Sequence, residues 1–188
     1  MTKSAALTLV VLAAAAILAP GCGTAIKETV GLATGAKGTY LAIQPISADK
    51  EDRPLGPYER FELGPLVDDI GGKVPAELLQ RLPAEFDLKL KDKKLPNKPA
   101  GKTLLIRGKI IHYESSGMVG IALGPLEQVI VRTEFVDKDS GKVLAVANCI
   151  GRTTERVNVG VKEKAQGLAK ALAGWIDARY PKDKRTND

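Results

Sequence analysis

The stretch that decides the fold is residues 127–152, which read EQVIVRTEFVDKDSGKVLAVANCIGR. Apolar and polar side chains alternate over residues 127–136, a pattern typical of a strand with one wet face. Residues 137–142, DKDSGK, are turn formers, so they predict a hairpin to a second strand over 143–152. The predicted faces of the first strand are Val129, Val131 and Phe135 on one side and Gln128, Arg132 and Glu134 on the other.

The register of this hairpin depends on its turn. If Asp137 pairs with Lys142 in a regular ladder, Phe135 lies opposite Leu144. One extra residue in either strand would invert that arrangement, because successive side chains of a strand point to opposite faces.

Further strands are predicted on both sides of the hairpin in sequence. A mostly apolar run over 39–46 indicates a buried first strand, and strict alternation over 86–91 indicates a half-exposed second strand. Residues 103–114 predict a long strand that leads into the hairpin. Its expected faces are Leu104, Ile106 and Ile110 on one side and Arg107, Lys109 and Tyr113 on the other.

Two helices are predicted. A short one begins near Pro75 and ends at Pro83, because proline suits the first turn of a helix and interrupts its interior. A longer one runs over 161–180, where apolar residues recur every three and four positions and Pro181 ends the pattern. Residues 55–72 contain Gly-Pro and Gly-Gly pairs, which favour an irregular crossing with at most a helical turn at 66–70.

This order of elements, β-α-β-β-β-β-α, predicts an α+β two-layer sandwich. Two helices would cover one face of a mainly antiparallel sheet of about five strands. The expected single domain spans residues 39–181, followed by a polar tail over 182–188.

The first 22 residues carry a targeting signal. Lys3 supplies a positive start, residues 5–19 are uncharged and apolar, and the small Gly21 precedes Cys22. At ~1.5 Å rise per residue the apolar run reaches only ~22 Å, short of the ~30 Å hydrocarbon core of a bilayer. The pattern therefore predicts a signal peptide over residues 1–21.

Leu18-Ala19-Pro20-Gly21-Cys22 resembles the lipobox of bacterial lipoproteins. Gly21 matches that pattern, whereas Leu18 stands one place early and Pro20 is not the usual residue at its position. The resemblance implies that signal peptidase recognises residues 18–21. It also implies that the Cys22 thiol receives a diacylglyceryl group and that the new amine is acylated after cleavage. The alternative is ordinary secretion, which would leave Cys22 as a free thiol.

Residues 22–38 follow as a glycine-rich tether, so the domain would stay close to its membrane. In lipoproteins of double-membraned bacteria, a residue other than Asp after the lipidated cysteine implies outer-membrane sorting, and Gly23 stands here. The predicted location is the cell envelope, lipid-anchored in the outer membrane and facing the periplasm.

Charge and composition exclude some partners. The chain has 28 basic and 22 acidic residues, a net charge of +6, and only 4% aromatic residues. The two signs are interspersed and stacking residues are few, so nucleic-acid binding is not expected. Lysines cluster over residues 89–102, which indicates either a solvated loop or a contact with anionic lipid or an acidic partner.

Catalytic patterns are missing from the sequence. His112 is the single histidine, and the sequence contains no Cys-x-x-Cys, His-Glu-x-x-His, Gly-x-Ser-x-Gly or P-loop pattern. Asp68-Asp69 has no third ligand nearby, and Cys149 in its apolar run is expected to be a buried, unreactive thiol. The sequence therefore predicts no enzyme activity, no metal and no cofactor.

Residues 115–125, SSGMVGIALGP, form a connection too long for a tight turn. They contain no charge, and their glycines make the segment adaptable. One interpretation is a plug over an open end of the core. The other is a contact surface for a partner protein or the lipid headgroup region, made by Met118, Val119, Ile121 and Leu123.

Three short stretches, residues 58–61, 105–108 and 137–142, carry a second resemblance. With the element order, they make the mature domain similar to small bacterial envelope lipoproteins of unknown function. The order is also similar to the amino-terminal domain of the translocation protein of the Tol-Pal system. The resemblance implies an envelope protein partner and no catalytic residues. The predicted function is a non-enzymatic scaffold or adaptor; the alternative is a ligand- or lipid-binding accessory subunit of an envelope transporter.

Overall fold

The structure, a computed structural model, describes residues 36–46, 53–114, 127–153 and 160–186. The predicted signal peptide, Cys22 and residues 115–126 lie outside this part of the chain. The described elements are β1 (Ala36–Gln44), β2 (Arg60–Asp68), α1 (Ala76–Asp92), β3 (Thr103–Tyr113), β4 (Gln128–Asp137), β5 (Val143–Thr153), α2 (Val161–Asp177) and a 3-10 helix (Lys182–Lys184).

The five strands form one sheet in the order β1-β5-β4-β3-β2. Neighbours pair antiparallel except β2 and β3, which are parallel. Helix α2 packs against β1 and β5, and α1 packs against α2. The predicted α+β class, with two helices beside a five-stranded, mainly antiparallel sheet, is confirmed.

Three glycines bring α2 onto the sheet. Gly38 of β1 and Gly151 of β5 are paired across the ladder, and Gly167 of α2 lies over them. A Cβ atom on Gly38 would stand 2.3 Å from the carbonyl oxygen of Gly167, and one on Gly151 would stand 2.5 Å from the amide nitrogen of Leu168. The helix backbone therefore approaches the strand backbones as closely as only glycine allows.

Aromatic and aliphatic side chains fill the space between helices and sheet. Phe135 stacks on Trp175 with ring centroids 3.5 Å apart, and Phe61 meets Tyr180 edge-on at 5.7 Å. The predicted apolar faces are confirmed, since each of these residues is fully buried: Leu104, Ile106, Ile110, Val129, Val131, Phe135, Ala165, Leu168, Leu172, Trp175 and Ile176.

The prediction of an irregular crossing over 55–72 is wrong, because residues 60–68 form strand β2. Pro65 cannot donate a ladder hydrogen bond, but β2 is an edge strand and has a register shift between Leu63 and Leu66. Proline is tolerated at such an edge, so the Gly-Pro pair does not end the strand.

The predicted strand over 86–91 is also wrong. Helix α1 continues through Pro83 to Asp92. Its buried residues recur every four positions, as on one face of a helix, and they are Leu78, Leu82, Phe86 and Leu90. Leu88 completes the apparent alternation of 86–91 but is 49% exposed.

Two bulges change the predicted faces. A register shift between Phe135 and Val136 places Phe135 opposite Ala145, not Leu144. A second shift, between Ile110 and His112, brings Tyr113 to the core side instead of the opposite face. Each shift inserts one residue, which inverts the side chains after it.

Both ends of the domain differ from the predicted boundaries. Strand β1 begins at Ala36, inside the predicted tether. After α2 the chain packs against the domain as far as Thr186, whose amide donates to the carbonyl oxygen of Lys94 at 3.0 Å. The predicted polar tail is therefore held in place over its first five residues, 182–186.

Candidate functional site

Strand β1 lies at one edge of the described sheet and exposes two large apolar side chains, whereas β2 at the other edge exposes one, Val67. The side chains of Leu41 and Ile43 are 40% and 47% exposed, whereas the side chain of Tyr40, on the same strand, is buried against the core. The sequence predicted a buried strand here. Because β1 lies at the end of the sheet and α2 covers one face only, its other face and its outer edge are open within the described residues.

The opposite edge, β2, is built differently. It contains Pro65 and a register shift, and it carries the charged Glu62 and Asp68. These features prevent an edge strand from pairing with another chain. Strand β1 also has a register shift, between Ala42 and Gln44, but it has a single charge, Lys37, and no proline. It is therefore the less protected of the two sheet edges.

A buried ion pair lies at the end of the sheet where β3 ends and β4 begins. Lys164 of α2 is 2% exposed, and its Nζ lies 2.5 Å from Glu127 Oε2. The same nitrogen donates to the carbonyl oxygen of Glu114 at 2.5 Å and lies 4.4 Å from the centre of the Tyr113 ring. One lysine thus connects α2 to both strand ends.

A second polar network stabilises the β4–β5 hairpin. Asp137 Oδ2 accepts from the Tyr58 hydroxyl and contacts Lys102 Nζ, both at 2.8 Å, while Oδ1 accepts from the Ser140 amide and hydroxyl at 2.9 Å. The Lys102 and Ser140 contacts hold the pKa of Asp137 well below its usual range. Gly141 has φ +70°, which the turn requires and glycine adopts without strain. The carboxylate is fully occupied by structural contacts.

Cys149 lies in the core on β5, opposite Val131. Burial raises the pKa of its thiol to about 12, so the reactive thiolate is scarce at neutral pH. His112 lies on β3, 3.3 Å from Glu114 Oε1, and not beside this thiol. The two residues therefore form no nucleophile and base pair.

The remaining sequence candidates have structural partners or lie outside the described residues. Asp68 accepts from the backbone amides of Ile70 and Val74, and Asp69 lies 3.5 Å from Lys109. Within the described ranges, no group of three or more His, Cys, Asp or Glu side chains is close enough to hold a metal ion. Residues 18–22 and the proposed contacts Met118, Val119, Ile121 and Leu123 lie outside them, so these assignments stay predictions.

Lysines of the basic segment 89–102 pair with carboxylates of several elements. Lys89 contacts Asp92 within α1, Lys93 reaches Asp177 at 3.1 Å, Lys98 reaches Glu59 at 2.6 Å and Lys102 reaches Asp137. The segment is therefore not a simple solvated loop. It begins as the last turn of α1 and ends at β3.

No helix in the described ranges has the length and apolar character needed to cross a bilayer.

Comparisons with known proteins show a solved structure with a similar fold. No family model and no curated protein matches the chain. Among solved structures, a dodecamer of a single-residue variant of PelC from Paraburkholderia phytofirmans is similar over 77% of this chain and 99% of its own, with 13% identity and a TM-score of 0.50. A minor lipoprotein from Acinetobacter baumannii matches 64% of this chain and 94% of its own, with 16% identity and a TM-score of 0.40. The PelC likeness supports the described fold.

Proposed function

We propose that the chain is a membrane-anchored lipoprotein of the cell envelope that acts as a non-enzymatic scaffold in a protein complex. The signal pattern of residues 1–21 and the lipobox-like residues before Cys22 support the anchor. Gly23 supports sorting to the outer membrane, with the domain in the periplasm. The observation that carries the scaffold role is the apolar edge of β1, which exposes Leu41 and Ile43 and has no proline.

A scaffold fits the interior of the domain better than a carrier of apolar ligands. Side chains of both helices and all five strands meet in one packed cluster between the layers. Phe135 and Trp175 stack at its centre, and the space between helix and sheet is closed by the glycine contacts of β1, β5 and α2. The exposed apolar residues of β1 therefore remain the more favourable place for binding.

We propose a second copy of this chain as the partner of β1. Antiparallel pairing of two β1 strands would continue the sheet across both copies and satisfy the outer backbone groups of each. It would also bring Leu41 and Ile43 of the two copies together. The PelC structure, described as a dodecamer, supports self-assembly of this fold.

Placing lysines on this edge is expected to separate the copies. In Leu41→Lys/Ile43→Lys, four like charges would meet across the paired strands, and the apolar contact would be lost. We expect the parent to migrate as an oligomer and the variant as a monomer when each full chain is purified in detergent and analysed by light scattering. Crosslinking in native envelopes would show the same loss.

Val67→Lys/Leu88→Lys is the matched control, since Val67 is 53% and Leu88 49% exposed away from β1. It adds the same charge and is expected to remain an oligomer. A monomeric parent would refute self-assembly through β1. If crosslinks to another envelope protein, and not to a second copy, depend on Leu41 and Ile43, the chain is an adaptor instead.

Anchoring has its own test in Cys22→Ser. A serine hydroxyl does not receive the diacylglyceryl group, so the chain would lose its lipid anchor, and two or more acyl chains are what makes such anchoring stable. We expect the variant to leave the detergent-extractable membrane fraction, while the parent stays in it. Equal membrane retention of the two chains would contradict lipidation at Cys22. Ser4→Ala, in the same signal region, serves as a control.

A further inference from the structure

A cleft of about 480 Å³, with both apolar and charged residues in its lining, lies beside the carboxyl end of α2. It is formed by three connections: the turn that precedes β2, the link between α1 and β3, and the chain that follows α2. Its volume is in the range of small-molecule sites. Its lining includes Glu59, Lys98, Tyr180, Lys184 and Arg185.

Backbone hydrogen bonds fix the three connections to one another. The amide of Leu55 donates to the carbonyl oxygen of Arg179 at 3.1 Å, and that of Lys98 donates to the carbonyl oxygen of Glu59 at 2.9 Å. A hydrogen bond from the Thr186 amide to the carbonyl oxygen of Lys94 connects the chain after α2 to the link after α1. The cleft is therefore formed before any ligand arrives, which lowers the entropy that binding must overcome.

Positive charge predominates in this cleft. Lys98, Lys184 and Arg185 line it, with Glu59 as the one carboxylate among the lining residues. The Lys98–Glu59 pair is solvent-exposed, with side chains 64% and 44% exposed, so it is weakly held and Lys98 is able to turn toward a ligand. Lys184 uses one donor on the carbonyl oxygen of Gly56 at 3.1 Å, and an ammonium group has three donors.

One of the three cations, Arg185, has a carboxylate partner outside the cleft lining. Asp177, the nearest carboxylate of α2, already contacts both Lys93 Nζ at 3.1 Å and an Arg185 guanidinium nitrogen at 2.7 Å. The floor of the cleft is Tyr180, whose ring is buried. Burial, together with the negative charges of Glu59 and Asp183, raises the pKa of the Tyr180 hydroxyl, which donates to the carbonyl oxygen of Lys184 at 3.4 Å.

We propose that this cleft binds a phosphate-bearing ligand, either a free phosphate compound or the headgroup of a phospholipid. Lys98 and Lys184 are the cations that would contact the phosphate oxygens, because ammonium groups are usual protein donors to phosphate. Arg185 would add positive charge beside them while it stays paired with Asp177. The inference goes beyond the scaffold role and does not depend on it. It also assigns a function to Lys98, the lysine of the basic segment 89–102 that lines the cleft.

The test uses the full chain purified in neutral detergent and titrated by calorimetry with two probes. One probe is inorganic pyrophosphate, and the other is short-chain phosphatidylglycerol in mixed micelles, compared with phosphatidylcholine. We expect Lys98→Gln/Lys184→Gln to weaken binding at least tenfold. Both lysines are exposed, so the variant should unfold at the same temperature as the parent. Higher salt should weaken binding by the parent, because exposed charges are screened.

Lys37→Gln/Lys162→Gln is the matched control. Both lysines are exposed, Lys162 lies in the first turn of α2, and Lys37 lies beside Gly167, far from the cleft at the other end of the helix. We expect this variant to bind as the parent does. Binding of pyrophosphate alone identifies a free phosphate compound, and binding of phosphatidylglycerol alone identifies a headgroup. No binding of either probe, or an equal loss in both double variants, would overturn the proposal.

Discussion

Gly151→Ala is expected to destabilise the domain by about 3 kcal/mol or more, although the change adds a single methyl group. The new Cβ would lie 2.5 Å from the amide nitrogen of Leu168 and 2.6 Å from the carbonyl oxygen of Lys164. Both atoms belong to the backbone of α2, so no side chain is able to turn aside. Either the helix moves off β1 and β5 or the strand bends. Denaturant unfolding of the purified full chain would measure the loss.

Gly160→Ala provides the control for this effect. Where the backbone accepts it, replacing glycine by alanine stabilises a protein by ~0.4–1 kcal/mol through the unfolded state. At Gly160 the nearest obstacle is the end of the flexible Glu163 side chain, so we expect a change within about 1 kcal/mol. If Gly151→Ala unfolds at the same denaturant concentration as the parent, the helix is not held against the sheet by this contact.

The periodicity of apolar residues correctly predicts the elements that bury one continuous face. It predicted the buried face of β4, the hairpin after it and the helix over α2, because these elements bury one continuous face. Periodicity does not identify the two strand glycines beneath Gly167, since pairing of Gly38 with Gly151 follows from the order β1-β5-β4, which is a tertiary property.

Proline misled the prediction twice, for one physical reason. Pro65 and Pro83 each remove a backbone donor, and the cost depends on whether that donor had a partner. In β2, Pro65 lies in the register shift and is not paired with a residue of β3. In α1 the stripe of Leu78, Phe86 and their neighbours packs on the core, and burial of that face outweighs the local penalty of about 3 kcal/mol.

Bulges and edges lie outside what alternation is able to show. Tyr113 was assigned to the wrong face because one inserted residue in β3 inverts the side chains after it. Leu41 and Ile43 look like residues of a buried strand until the position of β1 in the sheet is known. The candidate interaction surface could therefore not be predicted, because residues 40–43 are apolar on both faces and only the fold separates buried Tyr40 from exposed Leu41 and Ile43.

Lys164 was the least predictable residue, since a lysine in an amphipathic helix normally marks the wet face. It is instead the only lysine among the buried residues of the described domain. We expect Lys164→Met to cost about 3–5 kcal/mol, because Glu127 would remain buried without its cation. The loss should appear as a lower midpoint in denaturant unfolding of the full chain. Lys162→Met, on the exposed side of the same helix, should change stability by less than about 0.5 kcal/mol.

A double-variant cycle separates the ion pair from the rest of the lysine's contacts. Glu127→Leu combined with Lys164→Met removes both charges, and an apolar pair in place of a buried ion pair is often neutral or stabilising. We therefore expect the double variant to be more stable than Lys164→Met alone. If it is equally unstable, the bond from Lys164 to the carbonyl oxygen of Glu114 provides the stabilisation, and the lysine acts by fixing the end of β3. If Lys164→Met has the parent's stability, neither contact holds α2 against this end of the sheet.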